Sequence, residues 1–305
     1  MNSRDKGTTE LPKSLLDSIS ERTLLSDGAM GTELQAAGLK PGECGDHWNV
    51  AHPNKVEKIQ RAYVDAGSDI LITNTFGACR LMLARHGYAD YVQSINAAAV
   101  ELARKAFGDN DGYVLGDIGP FGGIMAPLGE VGEQEVRDAL IEQAEALVAA
   151  GVDGIIVETQ TALEEAAIGI EAALGAGAPC VIASFSYDVR LDGTDLATMM
   201  GISPEAAAEF TQTSGAHMIG INCGTLVDMG WAIKVTQRYR KHCDLAVMAQ
   251  PNAGQPVWQG TQLIYKETPE QMASQIPALL ESGASIIGAC CGSTPEHIAA
   301  LRQEF

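Results

Sequence analysis

Three cysteines, Cys223, Cys290 and Cys291, are the residues in this chain with the clearest capacity for chemistry. Residues 214–224 and 282–292 share one pattern: a glycine that ends a helix, a short apolar strand, and then cysteine followed by glycine. In both segments a cysteine lies eight residues after the first glycine, since 223 − 215 and 291 − 283 are equal. Two strands of one sheet would therefore carry thiols to the same level. Three convergent thiolates indicate a soft metal, and zinc is the metal that they favour.

The same glycine-and-strand pattern occurs twice more, over residues 67–75 and 151–159. In each copy the apolar run ends abruptly in polar residues, which is typical of a buried parallel strand that reaches a functional face. Glycines that cap helices are common in α/β proteins, but they do not explain polar and thiol groups at one fixed depth. The residues at positions +7 and +8 after the glycine are Asn74, Thr75, Glu158, Thr159, Asn222, Cys223, Cys290 and Cys291.

Eight apolar runs, separated for the most part by helical stretches, predict a single α/β domain of the (β/α)8 (TIM-type) barrel class. We assign residues 1–22 to an N-terminal tail and leading helix, and residues 23–305 to the barrel. Residues 116–133 form the predicted loop after strand 3, and Pro277 is expected to kink the helix that begins at Pro269. The predicted strands are 23–26, 69–73, 113–116, 154–157, 180–184, 218–221, 245–249 and 285–289.

The composition restricts the possible partners. The chain has 39 acidic and 20 basic residues, and its formal net charge of −19 disfavours nucleic acids and anionic membranes as ligands. No apolar run approaches about 18 residues, so we expect no membrane span. The polar N-terminus lacks the core of a signal peptide, and the count of seven cysteines is odd. Together these features predict a cytoplasmic protein with free or metal-bound thiols.

Three protein thiolates leave a fourth zinc position open, which is typical of catalytic sites. Both Cys290 and Cys291 can ligate one metal only if their strand ends there, and Gly292 permits the turn. A vicinal disulfide or two core thiols are the alternatives for this pair. A site with such excess negative charge is a poor Lewis acid for water but can hold a substrate thiol as a thiolate. The chemistry suggested is alkyl transfer to a thiol.

A second set of candidates lies at other strand ends. The first strand is followed by Asp27-Gly28-Ala29, where glycine lets the backbone approach a ligand and N–H groups can hold a carboxylate. Asp27 and Glu158 could bind an ammonium, although an N-cap for Asp27 and a salt bridge for Glu158 are the structural alternatives. Together these groups would hold an amino acid that carries a thiol. The predicted substrate-binding residues are Asp27, Gly28, Ala29, Asn74, Thr75, Glu158 and Asn222.

From about residue 23 to 301 the chain resembles the homocysteine S-methyltransferase family. The segments that carry the resemblance are 27–32, 73–76, 158–159, 222–223 and 288–292, and residues 251–254 and 294–298 look most like the homocysteine module of cobalamin-dependent methionine synthase. Ala289 departs from the usual glycine. The resemblance implies a (β/α)8 barrel with zinc held by Cys223, Cys290 and Cys291. It also implies that Asp27, Gly28, Glu158 and Asn222 hold homocysteine, which is methylated to methionine as a zinc-bound thiolate.

The methyl donor stays open at this point. The family member named above has further folate, cobalamin and reactivation modules, whereas this sequence stops at Phe305. A separate methylcobalamin-carrying corrinoid protein is one candidate, and a small donor such as betaine or S-methylmethionine is the other. Betaine needs an aromatic cage, for which Trp48, Tyr187, Trp231 and Trp258 are candidates.

Other functions also stay open. Glu43 and Trp48 are expected in the loop over the barrel mouth and are further candidates for the site. The same barrel could act on a different thiol, or demethylate a donor for a corrinoid or folate pool. A non-catalytic zinc-binding or redox-sensing protein is a third possibility, and the oligomeric state cannot be inferred.

Overall fold

The computed structural model describes residues 13–259 and 262–305. Its main sheet has eight parallel strands: β1 (Leu24–Leu25), β2 (Ile70–Ile72), β3 (Tyr113–Ile118), β4 (Gly154–Gln160), β5 (Val181–Phe185), β6 (Met218–Asn222), β7 (Ala246–Gln250) and β8 (Ala284–Ile287). The strand order is β1-β8-β7-β6-β5-β4-β3-β2. The ring closes where Ser26 bridges to Ile70 and the Asp27 N–H donates to the Ile70 carbonyl at 3.0 Å. The predicted (β/α)8 barrel is thereby confirmed.

Helices surround the sheet, and each of the longer ones buries an apolar face. Val56, Ile59 and Tyr63 are buried on one helix, and Val136 and Leu140 on another. The α-helices are Leu15–Glu21, Gly31–Ala36, Trp48–Ala51, Pro53–Asp65, Arg80–Ala84, Val92–Phe107, Glu133–Ala149, Leu163–Gly175, Pro204–Ser214, Met229–His242, Pro269–Ala273, Ile276–Glu281 and Pro295–Arg302, with a 3-10 helix at Ala89–Tyr91.

The interior of the barrel changes from apolar to polar along the strands. An apolar layer fills the lower part, and it consists of Leu24, Ile70, Leu115, Ile156, Ile182, Met218, Met248 and Ile286. Side chains on a strand alternate between faces, so the next inward positions are two residues further along. Those positions are Ser26, Ile72, Asp117, Glu158, Ser184, Gly220, Gln250 and Gly288. Polar side chains therefore begin directly above this apolar layer.

The leading helix is part of the barrel core. Leu15 packs into the interior apolar cluster, and the Ser18 hydroxyl lies 2.6 Å from the hydroxyl of Tyr113. The helix therefore covers the amino-terminal end of the barrel. The predicted tail over residues 1–12 lies outside the described residues.

The expected kink at Pro277 is a complete break instead. One helix ends at Ala273 and the next begins at Ile276, with Pro277 in its first turn. Proline has no N–H to donate and its ring clashes with the preceding turn, so the chain starts a new helix where the missing donor costs nothing. Ser203 and Thr268 cap their helices, because their hydroxyls accept hydrogen bonds from the N–H groups of Ala206 and Gln271.

Long excursions from the barrel follow β3, β5 and β7. Residues 119–132 come after β3, where the sequence places the long loop, and a small hairpin of Asp188–Val189 and Leu196–Ala197 follows β5. A second hairpin, Pro256–Gln259 with Gln262–Tyr265, follows β7. No helix in the described part of the chain is both long and apolar enough to cross a bilayer.

Candidate active site and metal centre

The three predicted thiols converge at the carboxyl end of the barrel. Cys223 directly follows β6, and Cys290 and Cys291 lie just beyond β8. Their sulfur atoms all lie within 4.8 Å of one another, and the Cys223 and Cys291 Sγ atoms are 3.7 Å apart. Four ligands at a zinc–sulfur distance of about 2.3 Å in a tetrahedron place neighbouring sulfurs about 3.8 Å apart. The donor set and its spacing therefore fit zinc.

Backbone geometry directs these thiols to one side. Cys223 has φ +55°, a left-handed conformation that few non-glycine residues adopt, and Gly292 has φ +81°. A Cβ at position 292 would lie 2.0 Å from Cγ of Tyr265, which belongs to the hairpin after β7. The N–H of Cys290 donates to the Pro251 carbonyl at 2.8 Å. The chain leaves strand geometry at this point, which allows two adjacent cysteines to face the same space.

The three thiols shift one another's pKa values. Hydrogen bonds from the Cys223 and Cys290 thiols lower the pKa of Cys291 to about 3, although its burial acts in the opposite direction. The same hydrogen bonds, followed by burial, hold the pKa of Cys290 well above its usual range. The cluster thus favours one thiolate that two thiols stabilise. A metal bound by all three sulfurs would displace the protons that Cys223 and Cys290 keep.

The thiols open into a cavity of about 390 Å³ at the barrel mouth. Among the described residues that line the cavity there is no lysine, arginine or histidine. Four acidic residues line it: Asp27, Asp46, Asp117 and Glu158. The cavity therefore suits cationic groups. Gly28, Ala29, Asn74, Thr75, Thr159, Gln250 and the three cysteines are also part of its wall.

Glu158 and Asp27 are held differently. No hydrogen bond from a described residue reaches the carboxylate of Glu158, whose pKa is raised to about 8 by burial and then by the charges of Asp27 and Cys291. Asp27 accepts hydrogen bonds from the Ile72 N–H at 2.8 Å and the Ser26 hydroxyl at 3.1 Å. Burial raises its pKa to about 7. Glu158 is therefore the freer of the two predicted ammonium ligands.

The turn after β1 is fixed by two residues that the sequence analysis does not select as site residues. The Ser293 hydroxyl donates to the Cys290 carbonyl at 2.8 Å and accepts from the Ala29 N–H at 3.0 Å. Tyr63 donates to the Ala29 carbonyl at 2.8 Å. A Cβ at Gly28 would lie 2.6 Å from the Ser293 Oγ atom, so only glycine fits there. The Ala29 N–H is thus already engaged, and Ser293 ties this turn to the cysteine pair.

Asn222 lies beneath the cavity wall. Its side chain accepts hydrogen bonds from the Thr159 N–H at 3.1 Å and the Ser184 hydroxyl at 2.6 Å, and it donates to the Thr159 hydroxyl at 2.7 Å. Thr159 has φ +58°. Asn222 therefore holds Thr159 in a left-handed conformation beside Glu158, and it is Thr159 that faces the cavity.

Asn74 and Thr75 line the opposite wall. The Asn74 amide donates to the Gly45 carbonyl at 2.9 Å and to the Asn49 side chain at 3.1 Å, which anchors the loop after β1 over the mouth. The Thr75 hydroxyl donates to the Asp117 carbonyl at 2.7 Å. Asn49 is a buried partner whose side chain in turn donates to the Asn74 carbonyl, and the sequence analysis does not include it.

The loop after β1 contributes Asp46 to the cavity, whereas the candidates Glu43 and Trp48 are not among the residues that line it. Glu43 is exposed and accepts a hydrogen bond from the Lys40 N–H at 3.0 Å. Trp48 is buried in the outer core. The Asp46 carboxylate accepts from the Gly77 N–H at 2.9 Å. Asp46 reaches the Gly77 N–H only in the folded chain, and no sequence motif marks Asp46 as a site residue.

The candidates for an aromatic cage do not assemble. Tyr187 is buried with its hydroxyl 2.6 Å from that of Tyr239, and Trp231 lies under the ammonium of Lys234. The side chain of Trp258 lies outside the described side chains. Among the described residues of the cavity wall, Phe76 is the single aromatic one.

Comparisons with known proteins match nearly the whole chain. A family model described as homocysteine S-methyltransferase matches residues 24–305. The methionine synthase of Mycobacterium leprae (strain TN) is 32% identical over 302 residues, which cover 93% of this chain and 24% of that protein. The methionine synthase of Mycobacterium tuberculosis is 33% identical over 300 residues, which cover 93% of this chain and 25% of that protein. The chain therefore spans about a quarter of the length of these relatives.

A solved structure is also similar over nearly the whole chain. The metallated form of the homocysteine methyltransferase MmuM from Escherichia coli has a TM-score of 0.75 at 25% identity, and the match covers 95% of this chain and 99% of that one.

Proposed function

Because the chain belongs to the homocysteine S-methyltransferase family, we propose that it methylates the thiol of homocysteine to form methionine. The observation that carries this proposal is the thiol cluster, with the Cys223 and Cys291 sulfurs 3.7 Å apart, at the wall of a cavity lined by acids. A metal site and an ammonium site in one cavity suit an amino acid that bears a thiol.

Cys223, Cys290 and Cys291 would hold zinc. When bound, zinc lowers the pKa of a ligating thiol, which is otherwise roughly 8.5, so that a thiolate forms at neutral pH. Three negatively charged ligands keep that sulfur electron-rich and therefore nucleophilic. The spacing of the cysteines and their shared negative charge support this assignment.

The protein residues would position homocysteine for transfer. Glu158 would accept the ammonium, because its carboxylate faces the cavity without a hydrogen bond from any described residue. Asp27 would add a second negative charge, and Gly28 would form part of the wall that the substrate meets. Thr159, held by Asn222, would fix the direction of the Glu158 side chain. This arrangement leaves the thiol of the substrate beside the cysteine cluster.

Transfer requires the donor on the far side of the cavity from the cysteines. The sulfur lone pair forms a bond to the methyl carbon while the bond between that carbon and the donor breaks, and the bonding electrons leave with the donor. In a ring of eight strands, β6 and β8 flank β7, and β3 lies opposite. The donor would therefore approach from the β2–β3 side, where Asn74, Phe76 and Asp117 line the wall.

Two donor classes remain proposals: methylcobalamin carried by a separate corrinoid protein, and a small methyl donor such as betaine or S-methylmethionine. The cavity favours S-methylmethionine over betaine, because betaine needs an aromatic cage and the cavity has one aromatic side chain among its described lining residues. We also propose a cytoplasmic location, which the seven unpaired cysteines support.

The test is methionine formation from homocysteine by zinc-loaded protein, with methylcobalamin, betaine and S-methylmethionine in parallel. We expect product with at least one of the three donors. No product with any of them, while zinc is bound, would contradict the proposed function.

A further inference from the structure

Ser293 is a buried residue next to the metal site to which the proposed function gives no task. It lies two residues after Cys291, and its side chain has no exposed surface. Its hydroxyl donates to the Cys290 carbonyl at 2.8 Å and accepts from the Ala29 N–H at 3.0 Å. One side chain therefore joins the backbone of a predicted metal ligand to the turn after β1.

The turn after β1 has no room to move relative to Ser293. A Cβ at Gly28 would lie 2.6 Å from the Ser293 Oγ atom and 3.0 Å from the Tyr63 hydroxyl oxygen. The Tyr63 hydroxyl in turn donates to the Ala29 carbonyl at 2.8 Å. Gly28 is thus packed between Ser293 and Tyr63, and a shift of this turn would require a shift of Ser293.

The cysteine segment is also held in place. The Cys290 N–H donates to the Pro251 carbonyl at 2.8 Å, and the Ala289 N–H donates to the Asp27 carbonyl at 3.1 Å. Among the hydrogen bonds between residues 27–29 and 289–293, all of which the structure describes, only that of Ser293 involves a side chain. The spacing of the two segments therefore depends on one backbone contact and on the Ser293 hydroxyl.

This spacing matters for a ligand that touches both segments. In the proposed function, homocysteine places its thiol at the cysteines and its ammonium at Glu158 and Asp27. Two contacts of one ligand reinforce each other only when the distance between the subsites matches the ligand. Cysteine carries the same groups with one methylene fewer. A fixed spacing would therefore favour one of the two amino acids over the other.

On the basis of the proposed function, we propose that Ser293 is a positioning residue that selects homocysteine over cysteine by fixing the distance between the turn after β1 and the metal site. Ser293 is not part of the cavity wall, whereas Gly28, Ala29 and Cys290 are. It acts through these residues and contacts neither the substrate nor the metal. Without its hydroxyl, the turn and the cysteine segment would move relative to each other, and the match to the length of homocysteine would be lost.

The test compares Ser293→Ala with the wild type by calorimetric titration of zinc-loaded protein. We expect the dissociation constant of homocysteine to rise about tenfold, and the preference for homocysteine over cysteine to fall by a similar factor, because the two subsites no longer match one ligand. The dissociation constant of L-2-aminobutyrate, which is homocysteine without its sulfur, should stay within about threefold, since this probe contacts only the amino-acid end. Zinc content by elemental analysis should be unchanged.

Matched variants separate the hydroxyl from the packing. Ser293→Thr keeps the hydroxyl and should bind all three ligands as the wild type does, whereas Ser293→Val has the same shape without the hydroxyl and should reproduce Ser293→Ala. The comparison of Thr with Val gives the same test if Ser293→Ala does not fold. Ser282→Ala removes another buried hydroxyl, which donates to the Leu279 carbonyl outside the cavity, and should change none of these constants.

The outcomes distinguish this role from a general disturbance of the site. An equal loss of affinity for L-2-aminobutyrate and homocysteine, or a loss of zinc, would overturn the proposed role of Ser293. An unchanged preference for homocysteine over cysteine would overturn it as well. These titrations need no methyl donor. Absence of methionine formation by the wild type with every donor would therefore contradict the proposed function and not the role of Ser293.

Discussion

The cavity has a thiol side, formed by Cys223, Cys290 and Cys291, and an acid side, formed by Asp117 and Glu158. The two sides stabilise their charged groups in opposite ways. On the thiol side, the Sγ atoms of Cys223 and Cys291 lie 3.7 Å apart, and hydrogen bonding with Cys223 and Cys290 lowers the pKa of Cys291. On the acid side, Asp117 and Glu158 face the cavity without partners among the described residues. The thiol side therefore has its partners within the protein, whereas in the proposed function the acid side receives its partners from the ligands.

This difference separates two tasks. A metal centre needs fixed ligand spacing, which the backbone supplies at Cys223 and Gly292 through left-handed conformations. A substrate site needs to gain free energy when it is filled and to release its product afterwards. Unpartnered buried carboxylates meet that need, because a cationic ligand removes the cost of their burial.

Loss of a thiol should have the largest effect. We expect Cys290→Ser to lose bound zinc and to reduce methionine formation by about 10³-fold, because metal stabilisation of the reacting group contributes several kcal/mol. Zinc content by elemental analysis and the rate of methionine formation would be measured on the same samples. Cys243→Ser, at a buried cysteine outside the cavity, is the matched control and should keep both. Full activity of the metal-free variant would refute the role of the thiol side.

Loss of an acid should weaken substrate binding and leave the metal in place. We expect Glu158→Gln to raise the dissociation constant of homocysteine about tenfold to a hundredfold, since a charge-assisted hydrogen bond is lost. Calorimetric titration of zinc-loaded protein would measure it. Loss of zinc from this variant would mean that Glu158 also stabilises the metal site. That result would contradict the separation of the cavity into a thiol side and an acid side.

A positioning residue should have a smaller effect on activity. Asn222→Ala removes three hydrogen bonds that hold Thr159 and Ser184. We expect a loss of about 2–4 kcal/mol in the free energy of unfolding, because buried polar groups are left unpaired. A drop of about tenfold in kcat/KM for homocysteine should accompany it. Urea unfolding and steady-state kinetics test this prediction, and an unchanged stability would show that water replaces the amide.

The positions of the three cysteines could be predicted from the sequence, because each cysteine lies at a fixed distance from the glycine that precedes its strand. The glycine before each even-numbered strand sets the distance to the strand end, and this distance brings Cys223 and Cys291 to one level. The eight apolar runs locate all eight strands, because buried parallel strands are apolar along their whole length, and the errors are small and lie at the strand ends. β1 is shorter than predicted and β4 extends to Gln160.

The acid side could be predicted only in part, because β3 does not follow a glycine at the spacing that the even-numbered strands share. The apolar run that marks β3 ends at Gly116, so Asp117 was assigned to the following loop, whereas the strand continues to Ile118. The alternation of side chains then turns Asp117 inward above Leu115. Asp46 and Ser293 depend on contacts between distant segments, with Gly77 and Ala29 respectively, and no local pattern indicates such contacts.

The smallest predicted effect is on the stability of the ligand-free protein. Burial, and then the charges of Glu158, Asp46 and Asp27, hold the pKa of Asp117 well above its usual range. An unfolded aspartate titrates near about 3.9, so the folded state keeps its proton to higher pH and loses stability as pH rises above that value. Asp117→Asn does not titrate. We therefore expect the variant to be more stable than the wild type by about 1–3 kcal/mol at pH 8, with a smaller difference near pH 5.

Thermal unfolding of substrate-free protein between pH 5 and pH 8 would measure this difference. Asp65→Asn should follow the wild type at every pH, because the Asp65 side chain is exposed. Parallel curves for Asp117→Asn and the wild type would mean that Asp117 carries no cost in the empty cavity. A difference that grows with pH would show that the Asp117 carboxylate destabilises the ligand-free protein. The acid side would then lower the stability of the empty cavity in order to bind a ligand, whereas the thiol side, whose groups have partners within the protein, would not.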